Sequence, residues 1–189
     1  SWSTTFNYTR GDGYYENYKT GKSFSKYLMD DPVIDGVIYE EGDFITHEAL
    51  ANDYLVLNSD LRFNSDFINL TGGISLSRYD GDHIGSVLWS NVLGDSFDYE
   101  KHEWYRNNGL KQEANAFIRG EIKPVSWLTA FFDLQYRGIW LNMSGPEDDG
   151  VLLDHKDDWH FFNPRAGMSF RWSSRSRAYV SAALGHREP

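Results

Sequence analysis

The sequence predicts an all-β protein: seven strands of an antiparallel, up-and-down transmembrane β-barrel that form one section of a larger barrel. Two observations lead to this prediction. Seven stretches alternate apolar and polar residues over about ten positions or more, as strands with two unlike faces do. The connections between these stretches are alternately long and short, which is typical of outer-membrane barrels with short turns on one side and long loops on the other.

The first three strands are predicted at about 2–10, 52–63 and 67–79. A long loop, about 11–51, joins the first two. A tight turn at 64–66 joins the next two, because Asn and Asp favour hairpin turns. On one face these strands carry Trp2, Phe6, Tyr8, Leu55, Leu57, Leu61, Phe63, Ile68, Leu70, Ile74 and Leu76.

Four more strands complete the pattern, at about 111–123, 127–141, 161–172 and 178–184. Long loops at about 80–110 and 143–158 precede the first and third of them. The short connections begin at Pro124, which presets a turn at no cost to the strand ladder, and at Ser173. The apolar face continues with Ala114, Ala116, Ile118, Ile122, Leu128, Ala130, Phe132, Leu134, Tyr136, Trp140, Ala166, Met168, Phe170, Ala178, Val180 and Ala182.

Alternation by itself is also typical of a soluble β-sandwich, so that alternative stays open at this point. Strand length favours the membrane barrel, because the runs span about 10–13 residues whereas sandwich strands commonly have about 5–6. Aromatic residues cluster at both ends of the apolar face, as two interfacial girdles would. These residues are Phe63, Trp127 and Trp172 at the short-turn end and Tyr8, Tyr136 and Trp140 at the long-loop end.

Composition narrows the classes of function. The 189 residues carry a net charge of −10 and show no basic stripe, which argues against nucleic acid as a partner. There is no cysteine, so neither disulfides nor thiolate metal sites can form. Mean hydropathy is −0.57 and no apolar run is long enough for a transmembrane helix. Because both ends lie close to predicted strands, we expect residues 1–189 to be part of a longer polypeptide.

Five segments resemble TonB-dependent outer-membrane receptors, in particular those of the Bacteroidetes type. They occur in the same order along the chain and match only the barrel of that family. The segments are FNYTRGDGYYENYK at 6–19, SLSRYDGDHIGSVLW at 75–89, FFDLQYRGIW at 131–140, FFNPRAGMSF at 161–170 and YVSAALGHREP at 179–189.

The resemblance implies a barrel of about twenty-two strands, the size class of plugged transporters, in the bacterial outer membrane. It implies a receptor that captures and imports a scarce nutrient such as a siderophore, haem, glycan or peptide. The implied partners are outer-membrane lipid, a surface lipoprotein and a TonB-type energy-coupling protein that acts through a plug domain. That plug domain and the remaining strands have no counterpart in this sequence.

Candidate ligand contacts lie at the start of the first and second predicted loops. Asp12, Tyr14, Tyr15 and Tyr18 could stack on or hydrogen-bond a nutrient, because tyrosine does so at small entropic cost. Packing of these tyrosines within the loop or in the outer girdle is the alternative. Three further candidates, Asp80, Asp82 and His83, lie where the third strand meets its loop.

Metal binding and catalysis lack a sequence signature. Asp80, Asp82 and His83 form one acidic, histidine-containing patch, and residues 154–160 form another, but neither has the spacing of a known metal site. No nucleophile elbow, zincin helix, phosphate loop or dinucleotide fingerprint occurs. We therefore expect no metal, no cofactor and no enzymatic activity. A ligand-binding protein without transport, as a soluble sandwich or an adhesin barrel, is the alternative function.

Overall fold

A computed structural model describes residues 1–94 and 97–188 of the chain. The predicted all-β class is confirmed: strands dominate, and no α-helix occurs in the described residues. Seven antiparallel strands form a single sheet, also as predicted. Residues 95 and 96 of the predicted 80–110 loop lie outside the described part of the chain.

The strands are much longer than the sequence pattern predicts. Six of them have 19 to 24 residues, which corresponds to about 60–80 Å of extended chain. A separate two-strand ribbon follows the first strand of the large sheet in sequence and precedes the second. The strands are β1 (Trp2–Ser23), β2 (Val33–Ile34), β3 (Val37–Ile38), β4 (Glu41–Asn64), β5 (Ile68–Ser90), β6 (Glu103–Val125), β7 (Leu128–Pro146), β8 (Leu152–Arg171) and β9 (Arg177–Ala183).

The large sheet has the order β1-β4-β5-β6-β7-β8-β9. Each of its strands therefore pairs with the strand of this sheet that comes next along the chain. Each of β1 and β9 pairs with one neighbour only and forms an edge of the sheet. No helix in the described part of the chain is long and apolar enough to cross a membrane.

The predicted loop boundaries are wrong, because strands occupy most of those ranges. Only 24–40 of the predicted 11–51 loop lies outside the long strands β1 and β4. Similarly, only 91–102 of the second loop and 147–151 of the third lie between strands. The candidate residues Asp12 to Tyr18 therefore belong to β1, and Asp80 to His83 belong to β5.

The register gives the sheet one apolar and one polar face in its hairpin half, the half that ends in the short turns. Directly paired residues share a face, so each apolar row can be followed across the strands. The row through Leu134 also contains Trp2, Leu61, Gly72, Ile118 and Pro164. We call this side the apolar face and the opposite side the polar face.

The apolar face is uncovered. Phe6 is 66% exposed, Leu61 is 62% exposed and Val180 is 62% exposed. Among the described residues no second layer packs on these rows. A large continuous apolar surface of this kind marks an interaction site in proteins.

The apolar rows end near one line across the sheet, beyond which the same face becomes charged. The last row before that line is mixed, with Tyr8, Leu55 and Trp140 beside Arg78, Gln112 and Asp158. On β7 the apolar positions run from Leu128 to Trp140, about 40 Å along the strand, or about 28 Å in height at a tilt of 45°. The first row beyond the line pairs Arg10 with Asp53 and Asp53 with Asp80, and it ends at Lys156 on β8.

The only hydrophobic core seen in the described residues lies at the other end of the sheet, on the polar face. Segments 24–40, 91–94 and 97–102 fold over this end, which we call the capped end. Aromatic rings pack edge to face there, with 5.1 Å between the ring centres of Phe24 and Phe44 and of Tyr27 and Trp104. The buried members are Phe24, Tyr27, Met29, Phe44, Val87, Trp104 and Tyr105.

Two consecutive phenylalanines of β7 cover glycines on both neighbouring strands. Phe132 lies on the apolar face over Gly120 of β6, to which it is directly paired. Phe131 lies on the polar face over Gly167 of β8, its direct partner there. A Cβ added at Gly120 would lie 2.4 Å from the Phe132 ring, and one at Gly167 would lie 2.6 Å from the Phe131 ring.

Candidate functional site

The register places the predicted ligand contacts on both faces of the sheet. Successive residues of a strand point to opposite sides, so Tyr14 and Tyr15 cannot face the same ligand. Five candidates lie on the side that continues the apolar face towards the capped end: Asp12, Tyr14, Tyr18, Asp80 and Asp82. Tyr15 and His83 lie on the polar face. The seven residues therefore do not form one site, and their binding role stays a prediction.

The candidates of β1 on the apolar side already have protein partners. The Tyr14 ring stacks on His47, with 4.6 Å between the ring centres. The Tyr18 hydroxyl donates a hydrogen bond to Asp43 at 2.8 Å, which raises the pKa of Tyr18. Asp12 lies 3.4 Å from the Arg10 guanidinium. These contacts favour a structural role for Asp12, Tyr14 and Tyr18.

Asp80 and Asp82 belong to a ladder of polar contacts between β5 and β6. The Asn108 amide donates to Asp80 at 2.8 Å and to Asp82 at 2.7 Å. Arg78 donates to Asp80 at 2.8 Å and Arg106 to Asp82 at 3.3 Å. The bonds from Asn108 and Arg78 lower the pKa of Asp80. Both carboxylates are thus held by amide and guanidinium groups, and His83 points to the other face.

The second acidic, histidine-containing patch is divided in the same way. His160 lies 3.3 Å from Asp158, and both belong to the apolar side. His155 contacts Asp157 on the polar side. Within residues 1–94 and 97–188, no group of three or more His, Asp or Glu is placed to hold a metal ion.

The polar face carries a surface near the capped end that could contact a ligand. Tyr54 and Tyr79 are directly paired across β4 and β5, with 6.5 Å between their ring centres. Three rows closer to the capped end, Tyr15 and Tyr105 flank Glu48, and the Tyr15 hydroxyl donates to its carboxylate. The two aromatic rows are about 20 Å apart along the strands.

Small and polar residues lie between these aromatic rows, together with Leu50, which pairs with Gly13 and His83. Gly13 and Gly109 leave open space over the backbone, since a Cβ at either would meet nothing within 4 Å. The Nδ1 atom of His83 lies 3.0 Å from the side-chain oxygen of Asn107. We call this region the tyrosine surface, and it comprises Gly11, Gly13, Tyr15, Glu48, Asn52, Tyr54, Tyr79, Gly81, His83, Tyr105, Asn107 and Gly109. Its rings and hydrogen-bonding groups could hold a bulky ligand without any covalent chemistry.

Tyr105 marks where the tyrosine surface meets the buried core. Burial, followed by the nearby carboxylate of Glu48, raises the pKa of Tyr105 to about 12. The unfolded chain ionises this phenol at about pH 10. The stabilisation from the neutral phenol is therefore complete below pH 10 and is lost as the pH rises through 12.

We expect a spectrophotometric titration at 295 nm to show this shift. The difference between the protein and Tyr105→Phe should contain one phenol that ionises near pH 12, well after an exposed tyrosine. A Tyr105 transition near pH 10 would show that the ring is not buried in the core.

In the hairpin half, the polar face is lined by charged residues. Glu113 lies 2.9 Å from Arg137 and 3.4 Å from Lys111. The Arg119 guanidinium lies 5.2 Å from the ring centre of Phe117, and that of Arg165 lies 5.4 Å from the ring centre of Phe131. Charged groups that keep partial exposure suit a hydrated interior better than a packed core.

Sequence reasoning missed Glu48, Tyr54, Tyr79 and Tyr105, the other members of the two aromatic rows. Glu48 and Tyr105 fell within predicted loops, and Tyr54 and Tyr79 fell within predicted strands, on the polar face. One local signal was available, because Tyr79 lies two residues before Gly81 and its ring covers that glycine.

Comparisons with known proteins do not identify the chain. No protein-family model matches it, and no curated protein is significantly similar to it in sequence.

Proposed function

We propose that the sheet is a section of the barrel wall of a TonB-dependent receptor in the bacterial outer membrane. In this proposal the apolar face contacts lipid, the polar face lines a hydrated interior, and the capped end is extracellular. Further strands would complete a barrel of about twenty-two. The receptor would capture a scarce, bulky nutrient and import it.

The observation that carries the proposal is the uncovered apolar face and its limited height. Its height of about 28 Å on β7 is close to the apolar band of about 25 Å in outer-membrane barrels. Tyr8 and Trp140 lie in one row at that limit, where interfacial aromatic residues are expected. Beyond the limit, both faces carry polar residues, as parts of strands in water on both sides would.

The same observation argues against the soluble sandwich. A sandwich needs a second sheet over the apolar rows, about 10 Å away. In the described part of the chain those rows are uncovered, and the segments between the long strands, 24–40, 91–94 and 97–102, pack on the polar face.

The tyrosine surface supports the capture step. It lies on the interior side, next to the end proposed to be extracellular, where an entering nutrient would pass. Its aromatic rows could contact a ligand about 20 Å long. The plug domain, the energy-coupling protein and a surface lipoprotein remain parts of the proposal, as does the choice among siderophore, haem, glycan and peptide.

Uptake by intact cells tests the function. Cells that lack the full-length protein should lose uptake of one labelled nutrient among a ferric siderophore, haem, an oligosaccharide and a peptide. Tyr15→Ala should raise the half-saturation concentration for that nutrient about two- to tenfold, because a ring contact of about 0.5–1.5 kcal/mol is removed.

Tyr14→Ala is the matched control, since Tyr14 precedes Tyr15 on the same strand but faces the other way. It should leave the half-saturation concentration unchanged. Unchanged uptake of all four nutrients without the protein, or recovery of the full-length protein in the soluble fraction without detergent, would contradict the proposal.

A further inference from the structure

A groove of about 550 Å³ crosses the apolar face just below the line where that face becomes charged. Leu57, Leu76 and Ala114 form its floor and belong to one row of the sheet. Phe6 forms one wall, at the β1 end of the same row, and Trp140 forms the other. The floor of the groove therefore runs across the strands, from the Phe6 wall on β1 to the Trp140 wall on β7.

Small residues produce the depth of the groove. Ala114 is paired with Gly138, so the floor has little side chain at that point. The Trp140 ring bends over Gly138, where an added Cβ would lie 2.7 Å from the ring. The indole of Trp140 therefore lies beside Ala114 and forms one wall of the groove.

One positively charged side chain, that of Arg78, lies at the charged end of the groove. Arg78 lines the groove there, is directly paired with Gln112, and its side chain is half-exposed. One of its N–H groups donates to Asp80, and a guanidinium has five. Donors are therefore left for a ligand, in the planar arrangement that suits phosphate.

The carboxylates around Arg78 are engaged by other groups. Asp53 accepts a hydrogen bond from the Tyr8 hydroxyl, and Asp80 accepts one from Asn108. Asp158, which is paired with Trp140, contacts His160. Because these carboxylates surround Arg78, the site would not bind a free anion from water. The apolar groove must supply the attraction, and Arg78 would orient the ligand.

We propose that this groove binds one membrane lipid, with an acyl chain along the floor and its phosphate hydrogen-bonded to Arg78 and Gln112. The order of chemistry in the groove fits such a ligand, with apolar contacts towards the hairpin end and a phosphate-binding group towards the capped end. The inference rests on the proposed function, because it requires the apolar face to lie in the bilayer.

Quenching of tryptophan fluorescence by brominated lipids tests the groove. The full-length protein is reconstituted in phosphatidylcholine vesicles that contain dibrominated phosphatidylglycerol or dibrominated phosphatidylcholine at equal mole fraction. The Trp140 signal is the difference between the protein and Trp140→Phe. An anionic lipid should bind about fivefold better than the zwitterionic one, the typical effect of one basic residue near a membrane surface.

Arg78→Gln should reduce that preference to about one. Arg10→Gln is the control, because Arg10 lies on the same face but outside the groove, and it should leave the preference unchanged. Equal quenching by both lipids, or a preference that survives Arg78→Gln, would overturn the lipid site while leaving the membrane position intact. Absence of quenching by either lipid would overturn the membrane position as well.

Discussion

Leu134→Arg is expected to destabilise the full-length protein in a lipid bilayer by about 2–4 kcal/mol, the cost of a basic residue at the lipid-facing midplane of a barrel. Leu134 lies halfway between Leu128 and Trp140, the limits of the apolar rows on β7. It is 37% exposed in the isolated sheet. In water, an arginine at such an exposed position would cost almost nothing. The size of the loss in unfolding free energy therefore shows whether residue 134 faces lipid or water.

The measurement is a urea titration of the protein in vesicles, with heat-modifiable gel migration as a second readout of the folded barrel. Gln135→Arg is the matched control, since residue 135 is adjacent but lies on the polar face. It should change the unfolding free energy by less than about 0.5 kcal/mol. Equal effects of the two substitutions would contradict the assignment of the apolar face to lipid.

Gly85→Ala is expected to destabilise the capped end by about 1–3 kcal/mol, the usual cost of overpacking. A Cβ at residue 85 would lie 2.2 Å from the Tyr105 ring and 2.7 Å from the Trp104 ring. Tyr105 is 9% exposed and Trp104 is 4% exposed, so neither ring can move aside without disturbing the core. Amide hydrogen exchange of segments 24–40, 91–94 and 97–102 should become faster in the variant.

Gly109→Ala provides the control within the same sheet. Its Cβ would meet nothing within 4 Å, and Gly109 lies on the same face as Gly85. We expect this variant to be neutral or more stable by about 0.4–1 kcal/mol, because alanine restricts the unfolded chain. If both variants lose stability equally, the tight contact between Gly85 and Tyr105 is not the cause.

The hairpin half of the sheet could be predicted from sequence because its two faces differ. Alternation identifies a strand only where one side is apolar and the other polar. Leu128 to Trp140 meets this condition, and the predicted faces of β7 agree with the register. The turn after Asn64 was also predictable, since it depends on local residue types.

The capped half could not be predicted by that route. From Gly11 to Lys19, polar and aromatic residues occur on both sides of β1, so the pattern resembles a loop although the strand continues to Ser23. The core contacts there join residues far apart in sequence, such as Tyr27 and Trp104. Local periodicity carries no information about such contacts.

The predicted ligand contacts do not share one surface, for a related reason. Asp12, Tyr14, Tyr15 and Tyr18 were predicted together because they lie at the start of one predicted loop. In a strand, parity decides which side chains share a surface, and it separates Tyr15 from the others. Tyr15 instead shares a surface with Glu48 and Tyr105, which only the register reveals.

Phe131 and Phe132 have a consequence for how the sheet assembles. If β7 slid by two residues against β6, the Phe132 ring would meet Ile118 or Ile122 instead of the bare backbone of Gly120. On the opposite side, Phe131 would lose its place over Gly167 in the same way. The pair therefore fixes the register of three strands at once, and misaligned hairpins would be disfavoured while the sheet assembles.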